Sequence, residues 1–149
     1  MSNEQSPQRA QQLAEQITEV LYTKDRASQA LGIRIEETRP GFAQATMVVR
    51  SDMTNGHGIA HGGLVFTLAD TAFAFACNSH NESNVAASAS IDFLAPSHEG
   101  DELTAVATEL WRSGRSGIYE ITVTNQKGAR IALFRGRSAR IAGQVVSVD

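Results

Sequence analysis

The chain has a single cysteine, Cys77, so no disulfide forms within it, which fits a reducing compartment. It has no run of five or six lysines and arginines, and its formal net charge is −3. The electrostatic footprint of a nucleic-acid binder is therefore missing, and no such partner is expected. The opening residues MSNEQSPQRAQQLAEQ lack the apolar core of a secretory signal. No apolar run reaches the roughly 20 residues that a membrane span needs. The expectation is a cytoplasmic protein that does not enter a membrane. Internal repeats and low-complexity segments are also missing. What is present is globular: hydrophobic residues make up 42% of 149, enough to build one core, so the chain reads as a single domain over 1–149.

Ser6-Pro7, followed by Ala10, Leu13, Ile17 and Leu21 at helical spacing, reads as a capped amphipathic helix with proline at its first position. It forms an N-terminal helical extension over about residues 1–26. A second, short helical piece is expected from Asp25 to Gly32, where glycine accepts the left-handed conformation that ends a helix. Five segments then read as strands, because they are rich in β-formers or alternate in polarity: 43–50, 85–94, 102–112, 118–125 and 129–141. Turn signals at Ser113-Gly114 and from Asn125 to Gly128 imply hairpins, hence a mainly antiparallel sheet.

Between the first two of these strands lies NGHGIAHGGLVFTLADTAFAFA, residues 55–76. From Gly63 to about Asn78 the apolar positions run nearly all round a helix, and such a helix is buried. The architecture expected is α+β, with one long hydrophobic helix cradled by a curved antiparallel sheet. Asp70 interrupts the apolar run, and an ionised carboxylate removed from water needs a reason to be there. Asp70 either faces solvent at a gap in the packing, accepts bonds from Thr67 and Thr71, or performs chemistry.

The loop before the helix bears on that choice. Asn55, Gly56, Gly58, Gly62 and Gly63 bring unobstructed amides to a helix N-terminus, where N–H groups lack partners and the dipole is positive. An amide aimed at a carbonyl oxygen stabilises the charge that develops in acyl transfer, so donor and carboxylate together point to hydrolysis of an activated acyl group. In the alternative reading, the glycines only turn the chain. Gly63 and Asp70 are seven residues apart, about 10 Å along a helix axis, whereas a reacting carbon sits about 3 Å from both its attacking group and its oxyanion donor. One chain therefore does not close the site alone. Two antiparallel copies of the helix would, which predicts a dimer with composite sites.

Basic residues gather late: Arg112, Arg115, Lys127, Arg130, Arg135, Arg137 and Arg140 face one acid, Glu120, between 112 and 140. This is either a face for a phosphorylated ligand or a solvated sheet surface.

The run HGGLVFTLADTAFAFACNS, the strand VAASASIDFLAP and the segment ALFRGRSARIAG resemble the hotdog-fold acyl-CoA thioesterases, specifically the phenylacetate-degradation type. The resemblance spans roughly 30–143 and implies a sheet of about five to six strands wrapped around the central helix. It further implies two subunits joined into one continuous sheet, commonly paired again into tetramers. By position, Asp70 matches the catalytic carboxylate, as general base or nucleophile, and Gly62 the oxyanion amide. His61 and Asn55 match residues that position thioester and water. The implied substrate is the coenzyme A thioester of phenylacetic acid or a ring-hydroxylated form, coenzyme A being part of the substrate and no other cofactor being needed. Gly63, Phe66 and Phe73 are then candidates for the acyl side of the site, although each phenylalanine is more often simply core. Arg115, Arg135 and Arg137 are candidates for the nucleotide phosphates.

Other readings compete. His57 and His61, four apart, join Asp52 or Asp70 in a drawing of a metal site, although a glycine-rich loop does not place both on one face and no metal is expected. Cys77 and His80 form a potential nucleophile–base pair, against which stands the inertness of a buried cysteine. A non-catalytic acyl-CoA binder and a dehydratase of the same fold complete the set.

Overall fold

The computed structural model describes residues 6–148. Helix α1 (Pro7–Lys24) starts where Ser6 accepts the Arg9 N–H on its hydroxyl, with proline at the first turn as expected. Leu13, Ala14 and Ile17 form its buried stripe. Helix α2 (Arg26–Ala30) is capped by the Asp25 carboxylate on the Ser28 N–H, and Gly32 follows at φ 67°.

Six strands make one sheet: β1 (Arg34–Arg39), β2 (Phe42–Val48), β3 (Asn84–Phe93), β4 (Glu102–Ser113), β5 (Ser116–Thr124) and β6 (Arg130–Arg140). Their spatial order is β1-β2-β4-β5-β6-β3, and every neighbouring pair is antiparallel. The five expected strands are all present, and β1 is the addition. Its sequence, RIEETR, is charged and mostly exposed because β1 is an edge, so it lacks the alternation by which half-buried strands are read. Thr38 on β1 ties down α1: its carbonyl accepts from Gln11 Nε2 at 2.8 Å, and its hydroxyl meets that of Thr18 at 2.8 Å.

Helix α3 (Gly62–Cys77) lies on the inner face of the sheet. Beneath it β2 and β4 present facing alanines, Ala43 opposite Ala107 and Ala45 opposite Ala105, all fully buried. Small side chains there let the helix approach the backbone closely, while Phe73, Tyr119, Ile121 and Phe134 fill the wider part of the core. Bulges in β1–β2, β3–β6, β4–β5 and β5–β6 bend and twist the strands around the helix. This α+β arrangement is the hotdog fold. No helix of the described residues is long and apolar enough to cross a membrane.

Candidate active site

The segment before α3 is tightly looped. Asn55 Oδ1 accepts the N–H groups of His57 at 3.0 Å and Ile59 at 3.4 Å, while the Asn55 N–H donates to the Ile59 carbonyl at 2.8 Å. Gly58 takes φ 73° within this turn, so its glycine is required by the backbone. The chain then enters α3 through His61, whose extended backbone makes it the N-cap.

The first amides of α3 have different fates. His61 Nδ1 accepts the Gly63 N–H at 3.0 Å, and the His61 carbonyl takes those of Leu64 at 2.9 Å and Val65 at 3.2 Å. The Gly62 N–H has no acceptor among the described residues. It is thus the free donor at the positive end of the central helix. Because Nδ1 of His61 accepts, the neutral ring carries its proton on Nε2 and presents a donor outward.

Gly62 opens onto a cavity of about 500 Å³, lined by Asn55, Val65, Phe93, Leu94, Ser97 and Ile131 among others. A Cβ on Gly62 would lie 3.0 Å from the Phe93 ring, so glycine keeps this wall open. The size and largely apolar walls suit an organic acyl group, with a few polar groups to orient it.

Asp70 lies further along α3, half-buried, and does not line that cavity. Burial raises its pKa, and the negative charge of Asp25 adds to the rise. Of the structural readings of Asp70, the threonine network does not form: Thr67 donates to the Gly63 carbonyl and Thr71 to the Thr67 carbonyl. No side-chain hydrogen bond from a described residue reaches the carboxylate. Asp25 and Ser97 escaped sequence reading as site neighbours. Asp25 was legible only as the start of the short second helix, and Ser97 sits in an unpatterned loop; it takes the folded chain to bring them here.

The remaining candidates separate. Phe73 is 1% exposed, wedged between Tyr119 and Phe134 with ring centroids at 5.4 and 6.0 Å, so it belongs to the core and not to the cavity wall. Phe66 packs edge-on against Phe134 at 5.1 Å. Arg115 sits in the β4–β5 turn, while Arg135 and Arg137 stand exposed on alternate positions of β6. None of the three lines the cavity, and none is in an ion pair among the described residues, whereas Arg112 and Arg140 both pair with Glu82.

Among the described residues, no three His, Cys, Asp or Glu side chains are grouped to hold a metal, and the His61 ring is engaged by Gly63. The Cys77–His80 pair is not formed either. His80 Nε2 meets Glu109 Oε2 at 2.7 Å, Cys77 donates to the Ala74 carbonyl, and burial pushes the thiol up to about 12.

Residues 57–132 match the sequence profile of the thioesterase superfamily, a span running from the loop before α3 into β6. The chain belongs to the thioesterase superfamily and is a thioester hydrolase. It is 47% identical to the acyl-coenzyme A thioesterase PaaI of Escherichia coli (strain K12), over 84% of this chain and 89% of that protein. The solved E. coli PaaI protein from the phenylacetic acid degradation operon superposes with a TM-score of 0.89 at 45% identity, covering 91% of this chain and 98% of that one. A hypothetical thioesterase from Streptococcus pneumoniae TIGR4, solved with coenzyme A, matches with a TM-score of 0.71 at 27% identity, over 75% of this chain and 90% of that one.

Proposed function

We propose that the protein hydrolyses the coenzyme A thioester of an aryl-acetic acid, phenylacetyl or ring-hydroxylated phenylacetyl, to the free acid and coenzyme A. The observation that carries this reading is the unpartnered Gly62 amide at the mouth of an apolar cavity, on the same helix as a half-buried carboxylate. The similarity to a thioesterase from a phenylacetic acid degradation operon supports the choice of acyl group, and that to a protein solved with coenzyme A supports the choice of leaving group.

In this reading the thioester carbonyl oxygen receives the Gly62 N–H, which is worth most when that oxygen becomes an oxyanion. His61 and Asn55 orient the thioester and the water, and Asp70 supplies the attack. Its raised pKa makes it a stronger base than an exposed aspartate. Asp70 either takes a proton from water or attacks the carbonyl itself to form a mixed anhydride, expelling the coenzyme A thiolate. Gly62 and Asp70 stand about 12 Å apart along α3, so the attacking group is Asp70 of the partner subunit. Antiparallel pairing of two β3 strands provides that geometry: it continues the sheet, runs the two α3 helices in opposite directions, and forms two composite sites per homodimer. Two such dimers pair into a homotetramer. Arg115, Arg135 and Arg137 are offered to the nucleotide phosphates, and no cofactor beyond the substrate's own coenzyme A is required.

Thiol release from a panel of aliphatic and aromatic acyl-CoA thioesters tests the reading. Aryl-acetyl esters are expected to give the highest kcat/KM. Preference for a short aliphatic chain would overturn the acyl assignment, and absence of thiol release from every ester would leave an acyl-CoA binder or a dehydratase. Asp70→Asn should lose at least about 10²-fold in kcat. That variant is expected to fold: a carboxyl group whose pKa is raised in the folded state loses stability as pH rises through that pKa, and asparagine has no charge to bury. Single turnover in ¹⁸O-labelled water separates the two roles, since label entering Asp70 identifies the nucleophile.

A further inference from the structure

The loop that leads into α3 has a twin between β5 and β6. Residues 54–60 and 124–130 are each closed by an antiparallel pair at their ends, Thr54 with Ala60 and Thr124 with Arg130. In the first loop the Asn55 N–H donates to the Ile59 carbonyl at 2.8 Å and the Gly58 N–H to the Asn55 carbonyl at 3.0 Å. In the second, Asn125 donates to Ala129 at 3.0 Å and Gly128 to Asn125 at 2.9 Å. Asn125 Oδ1 accepts the N–H groups of Lys127 and Ala129, as Asn55 Oδ1 accepts those of His57 and Ile59. Gly58 and Gly128 take φ 73° and 79°. Both loops are therefore Asx turns of one design, and they differ at the residue after the asparagine: Gly56 in one, Gln126 in the other.

Because glutamine fills the same place in the twin, the backbone of the loop does not require glycine at 56. Gly56 is exposed, it is not among the residues at positive φ, and a Cβ on it would meet nothing within 4 Å. What the glycine changes is chemistry. A backbone nitrogen whose own residue carries no side chain approaches the carboxamide of the preceding asparagine with least hindrance. The Asx turn folds the Asn55 carboxamide back over the chain, and two N–H donors on Oδ1 draw electron density from Cγ. The bonds that close the loop use neither the Gly56 N–H nor Asn55 Nδ2.

We infer that Asn55-Gly56 is a site of spontaneous deamidation, and that the carboxylate it leaves in the cavity wall ends turnover. The second half of this inference rests on the thioesterase reading. The Gly56 nitrogen, having given its proton to a base in solvent, attacks Asn55 Cγ. The N–Cγ bond forms, the Cγ–Nδ2 bond breaks, and Nδ2 takes a proton from water and leaves as ammonia. Water then opens the cyclic imide at either carbonyl, to aspartate or isoaspartate, with no change of oxidation state. Asn55 lines the cavity that Gly62 opens onto, so either product sets a negative charge in the wall shared with the proposed oxyanion donor. Isoaspartate also adds one atom to the main chain of a loop that is closed at both ends.

The test follows the full chain during incubation in mildly alkaline buffer. Samples taken over time are digested for mass spectrometry, and thiol release from phenylacetyl-CoA is measured on each. The Asn55 peptide is expected to convert to its acid forms several times faster than the Asn125 peptide, isoaspartate predominating, and kcat should fall in proportion to the Asn55 converted. Asn55 converting no faster than Asn125 overturns the inference, and so does full activity in protein whose Asn55 is wholly converted. Gly56→Gln gives the first loop the residue of the second. In this variant Asn55 should convert at the rate of Asn125, and activity should hold at the variant's own starting value; conversion as fast as in the unmodified chain would remove Gly56 as the cause. If that variant does not fold, the two asparagines of the unmodified chain still decide the matter. If fresh protein hydrolyses no ester, the thioesterase reading fails, while the comparison of Asn55 with Asn125 still upholds or overturns the modification site.

Discussion

Gly62 contributes an N–H to the site and no side chain, and this makes it open to an unusual test. It is the first residue of α3, where proline is tolerated because that N–H has no helical acceptor, and the extended backbone of His61 before it is what a following proline favours. Gly62→Pro therefore deletes the proposed donor and leaves the helix. Gly62→Ala keeps the donor and adds only a Cβ against the half-exposed Phe93 ring. The proline variant should fall below the alanine variant by about 10²- to 10³-fold in kcat. Equal activity of the two would show that the Gly62 amide does not stabilise the oxyanion. Asp25 permits a second measurement at this scale. Burial is the larger cause of the raised Asp70 pKa and the Asp25 charge the smaller. Asparagine caps a helix as well as aspartate does, so Asp25→Asn keeps α2 and removes one negative charge. Losing a like charge lowers the Asp70 pKa, so the acidic limb of the kcat/KM–pH profile should move to lower pH. An unmoved limb would mean that the Asp25 charge is not felt by the group that titrates in catalysis.

Helix α3 and the strands beneath it depend on close contact, and Gly136 is where this is most severe. A Cβ there would lie 2.8 to 2.9 Å from the Phe73 ring, and Phe73 has no room to retreat between Tyr119 and Phe134. Gly136→Ala should destabilise the fold by about 1–3 kcal/mol, read as a lower urea midpoint with an unchanged slope. Most elements were legible in the sequence because each is encoded locally. Ser6-Pro7 marks the start of α1, the nearly continuous apolar surface of residues 63–78 marks a buried helix, and Tyr119, Ile121 and Val123 mark the inner face of β5. Strand β1 was not legible, because an edge strand that buries only Thr38 carries no period-two signal. Phe73 and Phe66 read as core more readily than as pocket, but the sequence left both open, since the pattern that buries a side chain does not say what it is buried against.

For the whole molecule, the decisive feature is the free edge of β3. The strand is bonded to β6 on one side only, and its residues, with Val85 47% and Phe93 55% exposed, face outward on a long unpaired edge. Such an edge is a template for pairing with another strand. If the sites are composite, two inactive variants must complement each other. Asp70→Asn and Gly62→Pro chains, unfolded together and refolded at equal concentration, should recover roughly a quarter of wild-type activity, since about half of randomly paired dimers are mixed and each mixed dimer holds one intact site. A site built within one chain would recover none.

The sequence by itself determined that a carboxylate lies within a buried helix, that a glycine loop leads into that helix, and that the two are too far apart along it to meet in one chain. These are consequences of helical period and rise, which depend only on neighbours in sequence. Only the tertiary structure decided that His61 occupies the Gly63 amide and leaves that of Gly62 free, and that Asp25 approaches Asp70. Which polar groups are satisfied, and which charges act on one another, is set by contacts between distant segments once water is excluded, and no local pattern of residues carries that information.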